Sequence, residues 1–175
     1  MRRLMLVRHS KAERAEPGVG DQDRVLTDEG RTDATTVGAY LANHSFRPDH
    51  VLVSPAARTH ETWRQIAAAL RAAPHAKFDQ RIYNASAQAL FNVLAEVPDE
   101  ARAVLVLGHN PGLHELAVLL TATGDIDLRE RLRENFPTSG IAIIDFALDS
   151  WSKLHPRSGR LERFVSPKLI ASATN

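Results

Sequence analysis

Short apolar runs alternate along the chain with longer segments in which apolar residues recur every three or four positions. The runs have the length and aliphatic content of strands buried on both faces, and they lie at 4–7, 51–53, 103–107 and 141–146. The periodic segments predict helices, and these lie at about 28–44, 56–73, 86–98 and 110–122. The pattern therefore predicts strands and helices in alternation.

The boundaries of these segments carry their own signals. Thr27 and Ser86 are suited to cap helices at their N-termini, and Pro74 and Pro98 are suited to end them. Three further segments are less regular. We expect a short strand or extended link over 76–82, a loop or short helix over 124–135, and a loose tail from about 168 to 175.

Trp151 to Leu154 and Leu161 to Val165 predict a hairpin around Ser158-Gly159. Strands that alternate with helices require crossover connections, which give a mainly parallel sheet. The hairpin adds at least one antiparallel edge strand. The predicted fold is thus a three-layer α/β domain with helices on both faces of the sheet, in a single domain over residues 1–175.

Composition narrows the classes of function. Apolar residues make up 43% of the 175 positions, as in ordinary globular proteins, and 22 basic against 21 acidic residues give a net charge of +1. No basic tract favours nucleic acid as a partner. Cysteine is absent, which excludes disulfides, thiolate zinc sites and cysteine-based phosphatase chemistry. The first apolar run is too short for a signal peptide, and no stretch is long enough to span a membrane, so we expect a cytoplasmic protein.

Basic side chains follow three of the apolar runs at their carboxyl ends. Arg8 and His9 end the first run, Arg58 comes shortly after the second, and His109 follows the third. A histidine or arginine taken singly is more often a surface or salt-bridged residue than a functional one. In neighbouring parallel strands, however, these ends meet where α/β sheets bind their ligands. The four side chains together predict a phosphate pocket with a histidine as the attacking group.

Four ordered motifs resemble those of one family. The stretches LVRHSKAE, LTDEGRTDA, VSPAARTHET and VLGHNPGLHELA are similar to signatures of the histidine phosphatase superfamily, the phosphoglycerate-mutase-like group. The tail FPTSGIAIIDF…W…LERFVSPK is similar to its SixA-type branch, the phosphohistidine phosphatases. Ser10 departs from the glycine usual at that position, although it remains a small residue. The resemblance implies a phosphoglycerate-mutase-like fold.

The resemblance also implies a role for each candidate residue. His9 is the nucleophile that forms a covalent phosphohistidine, and Arg8, Arg58 and His109 bind the phosphate. Arginine suits this task because its planar guanidinium binds phosphate oxygens in pairs and stays charged. Since side chains supply the positive charge, we expect neither a metal nor a cofactor.

One residue of the family pattern is replaced. Asn84 stands where larger superfamily members carry an acid that protonates the leaving group, and Asp79 is nearby but out of register. A missing acid disfavours phosphomonoesters more than phosphohistidine, because imidazole can leave already protonated. Little chain between Arg58 and His109 is left for a lid, which favours a phosphorylated protein as substrate.

The sequence therefore predicts a metal-independent phosphatase that acts on phosphohistidine in a protein. Two alternatives stay open: a small-molecule phosphomonoesterase of the same superfamily, and a phosphoprotein-binding module without turnover. The patterns of zinc and serine hydrolases, H-E-x-x-H and G-x-S-x-G, are absent.

Overall fold

A computed structural model describes residues 1–173 of the chain. Within this part, seven strands form one sheet. They are β1 (Arg2–Arg8), β2 (His50–Val53), β3 (Ala76–Phe78), β4 (Ala103–Gly108), β5 (Thr121–Gly124), β6 (Ile141–Phe146) and β7 (Gly159–Val165). Their order across the sheet is β3-β2-β4-β1-β6-β7-β5. Strand β6 runs antiparallel to both of its neighbours, and the other adjacent pairs are parallel.

Helices connect most of these strands. They are α1 (Asp28–Asn43), α2 (Ala57–Ala69), α3 (Ala87–Ala95), α4 (Gly112–Leu120), α5 (Ile126–Glu134) and α6 (Pro167–Ala173). Short 3₁₀ helices lie at Asp21–Asp23, Gln80–Ile82 and Trp151–Lys153. The predicted caps form, since the hydroxyls of Thr27 and Ser86 accept hydrogen bonds from the first turns of α1 and α3. No helix within the described residues is long and apolar enough to cross a membrane.

Two apolar layers cover the sheet because successive side chains of a strand point to opposite faces. In β1, Leu4 and Leu6 pack into the layer formed with α3, α4 and α5. Met5 and Val7 pack into the opposite layer, against α1 and α2. All four are fully buried. The predicted three-layer α/β fold with helices on both faces of a mainly parallel sheet is confirmed.

Several local expectations differ from the structure. The antiparallel strand is β6, which lies inside the sheet, and its hairpin partner is β7. The predicted strand at 151–154 is instead a 3₁₀ helix, because Trp151 is fully buried and donates its indole N–H to the carbonyl of Ala101 at 2.7 Å. The sequence also did not indicate strand β5.

The two remaining differences concern the ends of elements. Helix α2 ends at Ala69, before Leu70 turns to extended backbone, rather than near residue 73. The predicted loose tail forms helix α6 through Ala173, and residues 174–175 lie outside the described part. All seven described strands belong to one sheet. The single domain over residues 1–175 stays a prediction.

The strand order gathers the predicted candidates. Strands β2, β4 and β1 are adjacent and parallel, so their carboxyl ends share one edge of the sheet. Arg8 is in register with Gly108, and Val53 with Leu107. The residues that follow these strands therefore meet above the same edge, where open α/β sheets bind ligands.

Candidate active site

A pocket of about 430 Å³ opens at this edge, and all four predicted side chains line it. The His9 and His109 rings lie 5.3 Å apart between centroids. The full lining consists of Arg8, His9, Lys11, Ala12, Asp21, Arg24, Arg58, Asn84, His109, Asn110 and Thr138. The loop that connects β1 to α1 thus forms part of its rim.

His9 has one nitrogen fixed and the other free of protein partners. Its Nδ1 lies 2.8 Å from the carbonyl oxygen of Ser10. A carbonyl only accepts, so Nδ1 carries the proton and the lone pair of the neutral ring is on Nε2. Burial lowers the pKa of His9 to about 4, and the positive charges of Arg58 and Arg8 add to this against the hydrogen bond to Ser10. His9 is therefore neutral near pH 7, with a basic Nε2.

His109 is held by the residue that follows strand β2. Its Nε2 lies 2.7 Å from the hydroxyl of Ser54, and its Nδ1 is buried without a hydrogen-bond partner. A hydroxyl can donate as well as accept, so the Ser54 bond is compatible with a proton on Nδ1. Burial lowers the pKa of His109 to about 3, with a further contribution from Arg58. The neutral ring can thus offer an N–H to a ligand.

Arg8 and Arg58 use only some of their N–H groups in hydrogen bonds to the protein. Arg8 gives one N–H to the carbonyl of Phe136 at 3.1 Å, and Arg58 gives two to Asp21, at 2.7 Å to its carbonyl and 3.1 Å to its carboxylate. The Nε atoms of both are buried without a partner. Both guanidinium groups line the pocket, and a guanidinium carries five N–H donors, more than these contacts use. The arrangement suits an anionic ligand.

The structure accommodates Ser10 at the position where the histidine phosphatase superfamily usually has glycine. It is fully buried, and its hydroxyl accepts a hydrogen bond from the hydroxyl of Ser139 at 2.5 Å. Its backbone N–H donates to the hydroxyl of Thr62 at 3.0 Å. The extra hydroxymethyl group is therefore accommodated with its polar atom paired, and His9 remains in the pocket.

Asn84 and Asp79, the two residues considered in place of the missing acid, lie in different parts of the structure. Asn84 lies at the rim of the pocket, in left-handed backbone with φ of 48°. Asp79 lines a different cavity and pairs with Arg81 at 2.8 Å. Arg81 lowers the pKa of Asp79 by hydrogen bonding. Asp79 as a replacement acid is thus wrong, since it neither reaches the pocket nor keeps a proton near pH 7.

Sequence reasoning did not single out several lining residues, above all Asp21 and Arg24. Both belong to the polar segment between β1 and α1. Asp21 is 37 positions from Arg58, and nothing in the spacing indicates that the two pair. The polar character of this segment is the one sequence signal, and it does not distinguish one aspartate from the next.

Comparisons with known proteins identify the family. A sequence profile described as histidine phosphatase superfamily (branch 1) matches residues 4–83. An uncharacterized protein of Mycobacterium tuberculosis is 32% identical, over 93% of this chain and all of the relative.

Solved structures extend the similarity over nearly the whole chain. A protein from Agrobacterium tumefaciens assigned as the phosphohistidine phosphatase SixA is 30% identical, with a TM-score of 0.78 over 95% of this chain and 98% of that one. A protein from Nakamurella multipartitia with the same assignment is 27% identical, with a TM-score of 0.82 over 95% and 96%. The fold and the family are those of a phosphatase. The chain belongs to the histidine phosphatase superfamily, in its SixA-type branch.

Proposed function

We propose that this protein removes phosphate from phosphohistidine on a protein, without a metal, through a covalent phosphohistidine formed at His9. The observation that carries the proposal is the state of the His9 ring. Its proton is fixed on Nδ1 by Ser10, it is neutral near pH 7, and the guanidinium groups of Arg8 and Arg58 line the same pocket. A phosphate held by these donors would meet a basic nitrogen that is ready to attack.

The first chemical step transfers the phosphoryl group to the enzyme. His9 Nε2 forms a bond to phosphorus while the bond from phosphorus to the substrate's ring nitrogen breaks, and that nitrogen keeps the electron pair. Arg8, Arg58 and the Nδ1–H of His109 stabilise the charge on the three non-bridging oxygens. In the second step water attacks phosphorus, the bond to Nε2 breaks, and inorganic phosphate and neutral His9 are released.

Whether the leaving group needs a proton from the enzyme distinguishes phosphomonoesters from phosphohistidine as substrates. Asn84 cannot donate a proton as a carboxylic acid does, and Asp79 is outside the pocket. An ester would then have to leave as an alkoxide, whereas a protonated phosphoimidazole leaves as neutral imidazole. The rim, where Asn84 is exposed, also leaves room for a substrate side chain that belongs to another protein.

The test compares wild type with His9→Ala, in the presence of a chelator, on a phosphohistidine protein, a phosphohistidine peptide and phosphomonoesters. We expect turnover to be lost in His9→Ala with unchanged circular dichroism, because the side chain lines the pocket rather than the core. An exposed histidine provides the control, and His155→Ala should keep full activity.

Trapping of the intermediate completes the test. Rapid quenching should give acid-labile, base-stable phosphate on wild type and none on His9→Ala. Near-wild-type activity of His9→Ala would exclude the mechanism. A wild type that prefers alkyl phosphates would indicate a small-molecule phosphatase, and phosphoprotein binding without any turnover would indicate a binding module.

A further inference from the structure

One carboxylate stands in this otherwise cationic pocket. Asp21 is the only acidic residue among the lining residues of the described chain. It opens the short 3₁₀ helix at the rim, and its two carboxylate oxygens accept hydrogen bonds from three side chains. Arg24 donates to Oδ1 at 3.0 Å, and Arg58 Nη2 donates to Oδ2 at 3.1 Å. The Tyr83 hydroxyl also donates to Oδ2.

These donors keep Asp21 charged and in place. The hydrogen bond from Tyr83 lowers the pKa of Asp21 to about 2, and Arg24 and Arg58 contribute in the same direction. The carboxylate is therefore ionised throughout the neutral range and cannot replace the missing acid as a proton donor. What it offers the pocket is a fixed negative charge.

Asp21 is more exposed than Arg58 and His9 in the same pocket. The Asp21 side chain is 46% exposed, whereas the Arg58 side chain is 4% exposed and His9 as a whole residue 9%. His9 is thus at the floor of the pocket and Asp21 at the rim. Because the leaving group departs opposite the nucleophile, attack from the floor directs it toward the rim. Tyr83 connects Asp21 to Asn84, the neighbouring residue at the rim.

We propose that Asp21 is a specificity-determining residue that favours a nitrogen leaving group over an oxygen one. The inference rests on the proposed function and names the group by which the site selects its substrate. A protonated phosphoimidazole carries positive charge, which falls to zero as the phosphorus–nitrogen bond breaks and the ring nitrogen takes the electron pair. An ester oxygen instead gains negative charge as its bond to phosphorus breaks.

A fixed carboxylate acts on these two leaving groups in opposite directions. It attracts the cationic ring, and its oxygen can accept the ring N–H, so it increases the protonated fraction that reacts at neutral pH. It repels the oxyanion that develops from an ester. The same charge therefore assists phosphohistidine and opposes phosphomonoesters.

The experiment measures kcat/KM for free phosphohistidine and for phenyl phosphate in wild type and Asp21→Asn. We expect the ratio of phosphohistidine to phenyl phosphate to fall by roughly 10-fold or more in Asp21→Asn. The optimum for phosphohistidine should also move to lower pH, where the ring is protonated without help from the carboxylate. A matched control is Asp23→Asn, on the same 3₁₀ helix but outside the pocket lining, which should leave the ratio unchanged.

Loss of Arg58 positioning would affect both substrates alike. An equal fall of both kcat/KM values in Asp21→Asn, with the ratio and the pH optimum unchanged, would therefore overturn the inference and leave Asp21 as a support for Arg58. If Asp21→Asn does not fold, Asp21→Ser provides the same comparison. Failure of the proposed function is distinct, because wild type itself would then not hydrolyse phosphohistidine.

Discussion

At the scale of single residues, the pocket depends on which polar atoms the protein leaves without a partner. Ser10 and Ser54 each engage one ring nitrogen, of His9 and His109 respectively. The arginines direct some N–H groups to protein oxygens and keep others unpaired. A donor that is buried and unpaired costs about 1–3 kcal/mol of stability.

The geometry of guanidinium leads to a prediction for Arg8 and Arg58. Lysine keeps the charge but presents a single ammonium, so Arg8→Lys and Arg58→Lys lose both the paired contacts and the protein bonds that orient them. We expect each to reduce kcat/KM by roughly 10-fold or more, or about 1.4 kcal/mol of transition-state stabilisation. Steady-state kinetics on phosphohistidine measure the effect.

Two exposed arginines near the same helix provide the comparison for general charge effects. Arg64 lies within α2 and Arg71 just beyond it, and neither lines the pocket. Arg64→Lys and Arg71→Lys should therefore retain kcat/KM within about 2-fold. Equal losses in all four variants would mean that net positive charge, rather than a specific phosphate clamp, determines activity.

At the scale of elements, the site depends on how closely α4 approaches the segment that follows β3. Helix α4 begins at Gly112, three residues after His109. A Cβ at Gly112 would lie 1.9 Å from the carbonyl oxygen of Ala85, which follows Asn84. Only a residue without a side chain allows this approach, so one glycine sets the distance between His109 and the rim around Asn84.

Gly112→Ala should separate the two elements. We expect a loss of stability of about 2 kcal/mol, in the range of other overpacked sites, together with reduced kcat because His109 moves. Urea unfolding and steady-state kinetics measure the two effects. In Gly20→Ala the nearest atom to the new Cβ is a side-chain oxygen of Asp23 at 3.2 Å, which can move, so its stability should change by less than about 1 kcal/mol. Wild-type stability and kcat in Gly112→Ala would show that α4 shifts without consequence.

At the scale of the whole molecule, the buried histidines tie stability to pH. The folded-state pKa values of His9 and His109, about 4 and about 3, lie below the unfolded value of 6.5. The unfolded chain therefore binds more protons below about pH 6.5, and the free energy of unfolding decreases as the pH falls from there toward about 4. Burial lowers the pKa of His50 and His60 as well, which adds to the same trend.

The predicted loss between pH 7.5 and pH 5 is on the order of 2 kcal/mol for each of the two pocket histidines. Urea unfolding at both pH values measures it. His109→Gln removes one titrating group, so its free energy of unfolding should fall less over this range than that of wild type. A decrease as large in His109→Gln as in wild type would mean that His109 is protonated in the folded protein.

The sequence alone determined the fold class and the position of the main candidates. Aliphatic runs of strand length, separated by periodic segments with Thr27 and Ser86 at their starts, are local signals that burial and capping produce directly. Arg8, His9 and His109 could be identified from the sequence for the same reason, since each stands where an apolar run ends. Arg58 follows as the first basic residue of the next helix.

Only the tertiary structure decided how distant segments combine. Periodicity does not reveal the direction of a buried strand, so β6 was expected neither as antiparallel nor as an inner strand. Trp151 looked like a strand residue because its burial against Ala101, fifty positions away, is not a local property. Asp21 became part of the pocket only through Arg58 and Tyr83, which chain folding brings to it. A sequence pattern records which face of its own element is buried, whereas pairing across the chain depends on the packing of all elements together.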